Sequence, residues 1–263
     1  MLGKLMKYEI MATARIFLPL YAMILLMAGI SRVFFPLSSE TFDLPRMITM
    51  MVYIFLLAAL FIMTLVVTIQ RFSKNLLGDE GYLSFTLPVR VWQHIFSKTI
   101  VNLMWMFISL IVSMFSIFLL AVNDPLSMRT FSEGCMEIGE AFGRYGGQAW
   151  LIFWEGIVCF IVTALSSALE IYAAISVGHL VPKHKLLAGF GAFVGFGVVE
   201  QIVVSLFGDF VNRKSLFWAA DNFGDTLSDV SGVLLFCIAF SVVFGVLFYF
   251  LTSWILKRKL NLE

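Results

Sequence analysis

The chain has 263 residues, of which 60% are hydrophobic and 13% charged, and its mean hydropathy is +0.95. Soluble domains carry roughly 25% charged residues; a fold in water could not hide this much apolar surface, whereas lipid needs no polar covering. The formal net charge of +1 argues against nucleic acid as a partner.

Six apolar runs are long enough to cross a bilayer, which takes about 20 helical residues for roughly 30 Å of hydrocarbon. They cover residues 16–35, 47–69, 99–122, 151–177, 186–207 and 232–256. Helices are expected rather than a barrel, because each segment must satisfy its own backbone and two-residue alternation is absent. The expectation is an all-α polytopic membrane protein in which residues 1–263 form a single six-span domain.

Ahead of the first run, residues 1–15 place Leu2, Leu5, Met6 and Ile10 on one face and Lys4, Lys7 and Glu9 away from it. That pattern predicts an N-terminal interfacial helix. The run that follows is too long for a signal-peptide core and lacks a small-residue cleavage site, so it is expected to stay as a helix.

A polar, glycine-marked segment, residues 70–98, separates the second and third runs. Gly78 and Gly81 bracket Asp79 and Glu80. Asp79 can cap a short helix, since its carboxylate accepts from orphan backbone N–H groups. Tyr82, Leu83, Phe85 and Leu87 add bulk, and Pro88 ends the turn because the residue before proline avoids helical geometry. Such a helix, held at the end of two spans, is either a knob through which both can be pushed or a turn that merely caps them.

Of the two outer loops, residues 123–150 repeat Phe131, Cys135, Ile138 and Phe142 at three-to-four spacing, with Glu133, Glu137 and Glu140 between them. This predicts a helix resting on the membrane or on the bundle. The other, residues 208–231, mixes aromatic residues with acids and could dip back toward the membrane.

Three acids interrupt the apolar runs: Glu155 and Glu200, expected toward the outer leaflet, and Glu170, expected toward the inner one. A charge at mid-bilayer costs roughly 2.5–3.5 kcal/mol on insertion scales, so such residues face the bundle or a cavity. They belong either to interhelical hydrogen bonds or to a polar substrate path, with Gln201 beside Glu200 extending the polar patch. On the fifth run Gly191 and Gly195 form a small-xxx-small pair, which lets a helix approach closely within the subunit or across a dimer seam.

The positive-inside rule sets the orientation. With the N-terminus in the cytoplasm, 12 of the 18 Lys and Arg residues fall inside and 6 outside, and the Lys257-Arg-Lys cluster is inside. Both termini are therefore expected to be cytoplasmic. No HExxH, no GxSxG and no nucleotide-binding phosphate loop is present, so neither catalytic residues nor a cofactor is expected. His94, His179 and His184 are not spaced as paired ligands, and Cys135, Cys159 and Cys237 show no metal or disulfide spacing.

The stretch Leu76-Leu-Gly-Asp-Glu-Gly-Tyr-Leu-Ser-Phe-Thr-Leu-Pro-Val89, the following Ser97-Lys98 and the closing Lys257-Arg-Lys-Leu-Asn-Leu-Glu263 resemble bacterial ABC-2-type transporter permeases. The six-span layout and the N-terminal helix fit too, so the resemblance covers nearly the whole chain. It implies that Gly78, Asp79, Glu80, Gly81, Tyr82, Leu83, Phe85 and Pro88 form a coupling helix that docks on separate cytosolic ABC ATPase subunits. It further implies pairing with a second permease copy or related chain, short re-entrant helices in 208–231, and a place in the bacterial plasma membrane. The other readings are an ion-coupled secondary transporter using the intramembrane glutamates, and a membrane anchor that recruits a cytosolic partner.

Overall fold

The structure, a computed structural model, describes residues 2–34, 43–74, 91–122, 125–181, 183–212 and 223–258. Its helices in chain order are α1 (Leu2–Phe34), α2 (Asp43–Phe72), α3 (Val91–Ala121), α4 (Pro125–Tyr145), α5 (Gly147–Gly178), α6 (Lys185–Asn212) and α7 (Phe223–Arg258), with no strand among the described residues. Six of them, all but α4, are long and apolar enough to cross a membrane, with mean hydropathies from 1.8 to 2.8. The chain is a multi-pass helical membrane protein.

The helices outrun the apolar stretches that announce them. α1 is continuous for 33 residues, about 50 Å at 1.5 Å per residue against roughly 30 Å of hydrocarbon. Segment 1–15 is therefore not separated from the first span by any break. Neither glycine nor proline occurs between Lys4 and Leu18, and a nucleated helix adds a hydrogen bond with each further residue. α3 likewise begins at Val91 and takes in Ser97 and Lys98. The described parts of 208–231 continue their neighbours: residues 208–212 extend α6 and 223–231 open α7. The amphipathic pattern around Phe131 to Phe142 forms as α4.

The chain packs as two compact units. The first comprises Met1–Thr68 and Ile100–Ala141. Its core takes Phe17, Tyr21, Ile24 and Ala28 from α1, Tyr53, Leu60 and Val67 from α2, and Val101 and Trp105 from α3. These recur every three, four or seven positions, so each helix offers one stripe to the others. Since lipid is as apolar as leucine, the stripes are held by close packing and by polar ties. Trp105 Nε1 donates to Thr13 Oγ1 (2.7 Å), and the indole stacks on Phe17 with centroids 4.8 Å apart. The Tyr21 and Ser109 hydroxyls are paired at 2.8 Å, as are those of Tyr53 and Ser116, and Thr68 Oγ1 donates to Asn102 Oδ1 at 2.6 Å.

The second unit comprises Ile69–Thr99 and Phe142–Glu263. Here α5 packs against both α6 and α7. Small residues allow it: a side chain built at Gly178 would lie 2.6 Å from the Lys185 carbonyl oxygen and 2.7 Å from Gly189 Cα, and one at Gly245 would touch Ser166. Phe236, Phe240, Phe244 and Phe248 climb α7 at four-residue steps, and Phe196 of α6 meets Phe248 at 5.2 Å.

Candidate functional site

The candidate coupling residues Gly78, Asp79, Glu80, Gly81, Tyr82, Leu83, Phe85 and Pro88 lie outside the described residues. The helix ends that carry them are described. Phe72, the last residue of α2, is fully buried, and so is Ile95 in the second turn of α3. With Tyr172 of α5 and Leu256 of α7 they form one closed apolar cluster. The Phe72 ring stacks on Tyr172 with centroids 4.2 Å apart and planes 9° from parallel. Along α3 the neighbours His94, Ser97, Lys98 and Thr99 are buried as well, and Ser97 Oγ and Thr99 Oγ1 donate to the His94 and Ile95 carbonyls at 3.0 and 2.8 Å.

A packed core deforms little. Phe72 of α2 and Ile95 of α3 share one packed contact with Tyr172 of α5 and Leu256 of α7. Sequence reading singled out none of Phe72, Ile95, Tyr172 and Leu256. The available signal was aromatic bulk at the edge of the second run, next to the polar segment.

The intramembrane acids separate into two settings. Glu155 of α5 accepts a hydrogen bond from Ser231 Oγ of α7 at 3.0 Å, while its other oxygen is buried without a hydrogen-bond partner. Glu170 of α5 and Glu200 of α6 instead stand on two helices that pack against each other. Counting from the Gly178–Gly189 approach, Glu170 lies eight residues back along α5 and Glu200 eleven residues on along α6, about 12 Å and 16 Å at 1.5 Å per residue. The pair is thus at nearly one height. Glu200 is nearer in height to Glu170 than to Glu155, which lies 23 residues back from Gly178 along α5. The reason is that α6 runs from Lys185 to Asn212, past the apolar limit at 207, which puts Glu200 at mid-helix. Gln201, about 100° around the helix from Glu200, is exposed.

Among the described residues, nothing beyond the local helix lies within 4 Å of a side chain built at Gly191 or Gly195. Within the chain, close approach is made by Gly178 and Gly189 instead, because α6 turns that side toward α5. Among the described residues no group of three or more His, Cys, Asp or Glu is placed to hold a metal ion.

Set against protein-family models, curated proteins and solved structures, the chain matches none of them.

Proposed function

We propose that this chain is the permease subunit of an ATP-driven transporter, working as an exporter in a bacterial plasma membrane. A separate ATPase supplies the energy and grips the segment between α2 and α3. The observation that carries this reading is the buried cluster of Phe72, Ile95, Tyr172 and Leu256. It anchors both chain ends that border the segment and joins them to two further membrane-crossing helices. A surface turn needs no such mount; a lever does. The motif from Leu76 to Val89 adds its resemblance to ABC-2-type permeases.

In this mechanism ATP binding closes the partner subunits, which displace the knob from Asp79 to Pro88. α2 and α3 move with it, Tyr172 and Leu256 carry the displacement to α5 and α7, and a path opens between this chain and a second permease chain. Replacing Tyr82 and Phe85 with Ala tests the grip. Loss of ATPase co-purification, with the permease still folded in the membrane, is the expected result; undiminished association and transport-coupled hydrolysis would end the proposal.

One observation favours a second reading. Glu170 and Glu200 lie at similar distances along neighbouring spans from the Gly178–Gly189 approach, as the binding residues of an ion-coupled carrier would. That reading requires transport in vesicles under an ion gradient with no ATPase present, abolished by Glu170→Gln or Glu200→Gln.

A further inference from the structure

Among the described residues α4 is the one helix that is not long and apolar enough to cross a membrane, and much of its apolar face is exposed. Phe131, Cys135, Ile138 and Phe142 fall within about 60° of one another around the helix axis, while Arg129, Glu133, Glu137, Glu140 and Arg144 occupy the opposite side. Phe131 is 51% exposed and Ile138 60%, and Cys135 is exposed too. On the polar side Arg129 and Glu133 pair at 2.8 Å, both open to solvent.

Three observations name what covers the apolar face. First, both ends of α4 are tethered to membrane-crossing helices at the same bilayer surface, the one opposite the N-terminus. α3 ends at Ala121, just before Pro125, and Gly146 alone stands between Tyr145 and the start of α5. A helix of 21 residues is about 31 Å long at 1.5 Å per residue. With each end held near that surface, it lies along the surface instead of standing off it.

Second, the apolar stripe continues at both ends into the lipid-facing sides of the flanking spans. Phe131 packs on Phe118 of α3 at 5.4 Å, beside the exposed Met114 and Phe115. Phe142 packs on Trp150 and Phe153 of α5 at 5.1 and 6.1 Å, and both of these are exposed. Trp150 and Trp154 are of the residue type that settles at headgroup level.

Third, the corner into α5 is fixed. Gly146 has φ +50°, which an L side chain adopts only with strain, and its N–H donates to the Phe142 carbonyl at 3.0 Å.

We propose that α4 is an interfacial helix whose apolar stripe sinks about 5–10 Å into the headgroup–acyl boundary of the bilayer. Its partner is the lipid surface itself. Three Glu against two Arg leave the helix without the cationic face that anionic lipid attracts, so burial of apolar area holds it. The inference is independent of the transport reading, because it uses none of the residues on which that reading rests.

Spin labels test it. The full chain carrying Cys159→Ala and Cys237→Ala retains Cys135, whose label needs no change on α4; single cysteines at Phe131, Glu133, Glu137 and Ile138, each with Cys135→Ala, give the period. Each form is reconstituted in phosphatidylcholine vesicles with and without phosphatidylglycerol, and label collisions with oxygen and with a water-soluble nickel chelate are measured. The expected result is a severalfold higher oxygen-to-nickel ratio at 131, 135 and 138 than at 133 and 137, unchanged by phosphatidylglycerol. Nickel access at every position would overturn the proposal by placing α4 in water. Shielding of 135 and 138 from both reagents would overturn it by placing a protein surface on the stripe. A depth that follows phosphatidylglycerol content would overturn the assignment to apolar burial.

Discussion

The ring of Phe72 lies flat on that of Tyr172, 4.2 Å between centroids, joining the last residue of α2 to the middle of α5's buried face. Stacked aromatic pairs contribute about 0.5–1.5 kcal/mol beyond the area they bury. A double-mutant cycle with Phe72→Ala and Tyr172→Ala is expected to return a coupling energy in that range, read from unfolding in mixed micelles. Additive single effects would show that the two rings merely share a site. If the cluster passes force, Phe72→Leu should leave ATPase binding intact while uncoupling hydrolysis from transport.

The tie between Trp105 and Thr13 makes a second prediction. Both are buried, and the indole N–H has Thr13 Oγ1 as its acceptor at 2.7 Å. Thr13→Val keeps the shape and removes the acceptor. Interhelical hydrogen bonds in membranes average about 0.6 kcal/mol and reach about 1.7; this one, with its donor sealed from water, belongs near the upper value. Thr13→Ser keeps the hydroxyl and should recover most of the loss in the same unfolding assay.

The spans were legible in the sequence, because 20 apolar residues in a row leave lipid as the economical solvent. Where the helices end was not. Hydropathy reports the length that faces hydrocarbon, whereas α1 runs from Leu2 to Phe34 and carries on through Pro19, whose missing N–H leaves one rung of the ladder open. Nor was it legible which apolar residue faces a neighbour. In water, burial separates Ile24 from Leu26; in lipid both sides of α1 are apolar, and only the structure shows Ile24 sealed and Leu26 65% exposed. The same blindness hid the buried cluster of Phe72, Ile95, Tyr172 and Leu256, whose members are spread from residue 72 to residue 256. The intramembrane acids were visible as residues but not as a pair, since the height of Glu200 depends on where α6 begins and ends.

Glycines show the same limit, and they yield a third prediction. Gly191 and Gly195 carry the recognisable spacing, yet among the described residues no other element comes within 4 Å of a side chain built at either. Gly178 and Gly189, brought together by a hairpin, have no spacing motif to announce them. Gly178→Ala would put a methyl 2.6 Å from the Lys185 carbonyl oxygen and 2.7 Å from Gly189 Cα, contacts with backbone that no side-chain rotation relieves. Overpacking of this kind costs roughly 1–3 kcal/mol, so its thermal transition in detergent should fall clearly. Gly191→Ala meets open space and should stay within about 0.5 kcal/mol of the parent as a monomer. A loss at Gly191 that appears only in the assembled protein would place a second helix on that face.

Glu155 decides between tie and path. One of its oxygens accepts from Ser231 across α5 and α7, and the other is buried without a hydrogen-bond partner. A buried polar oxygen without a hydrogen-bond partner is costly, so an amide of the same shape should do no worse. Glu155→Gln keeps an oxygen for Ser231 and removes the acid; it is expected to match or exceed the parent in stability and, on the proposed transport reading, to leave transport unchanged. Glu155→Ala loses the tie and should cost about 0.6–1.7 kcal/mol, the span seen for single interhelical bonds. Ser231→Ala should cost a similar amount, and the Glu155→Ala, Ser231→Ala pair should cost less than the two added together, because one bond is being removed twice. A Glu155→Gln chain that folds as well as the parent but no longer transports would reverse the assignment, since only the acid's charge or proton would then be missing.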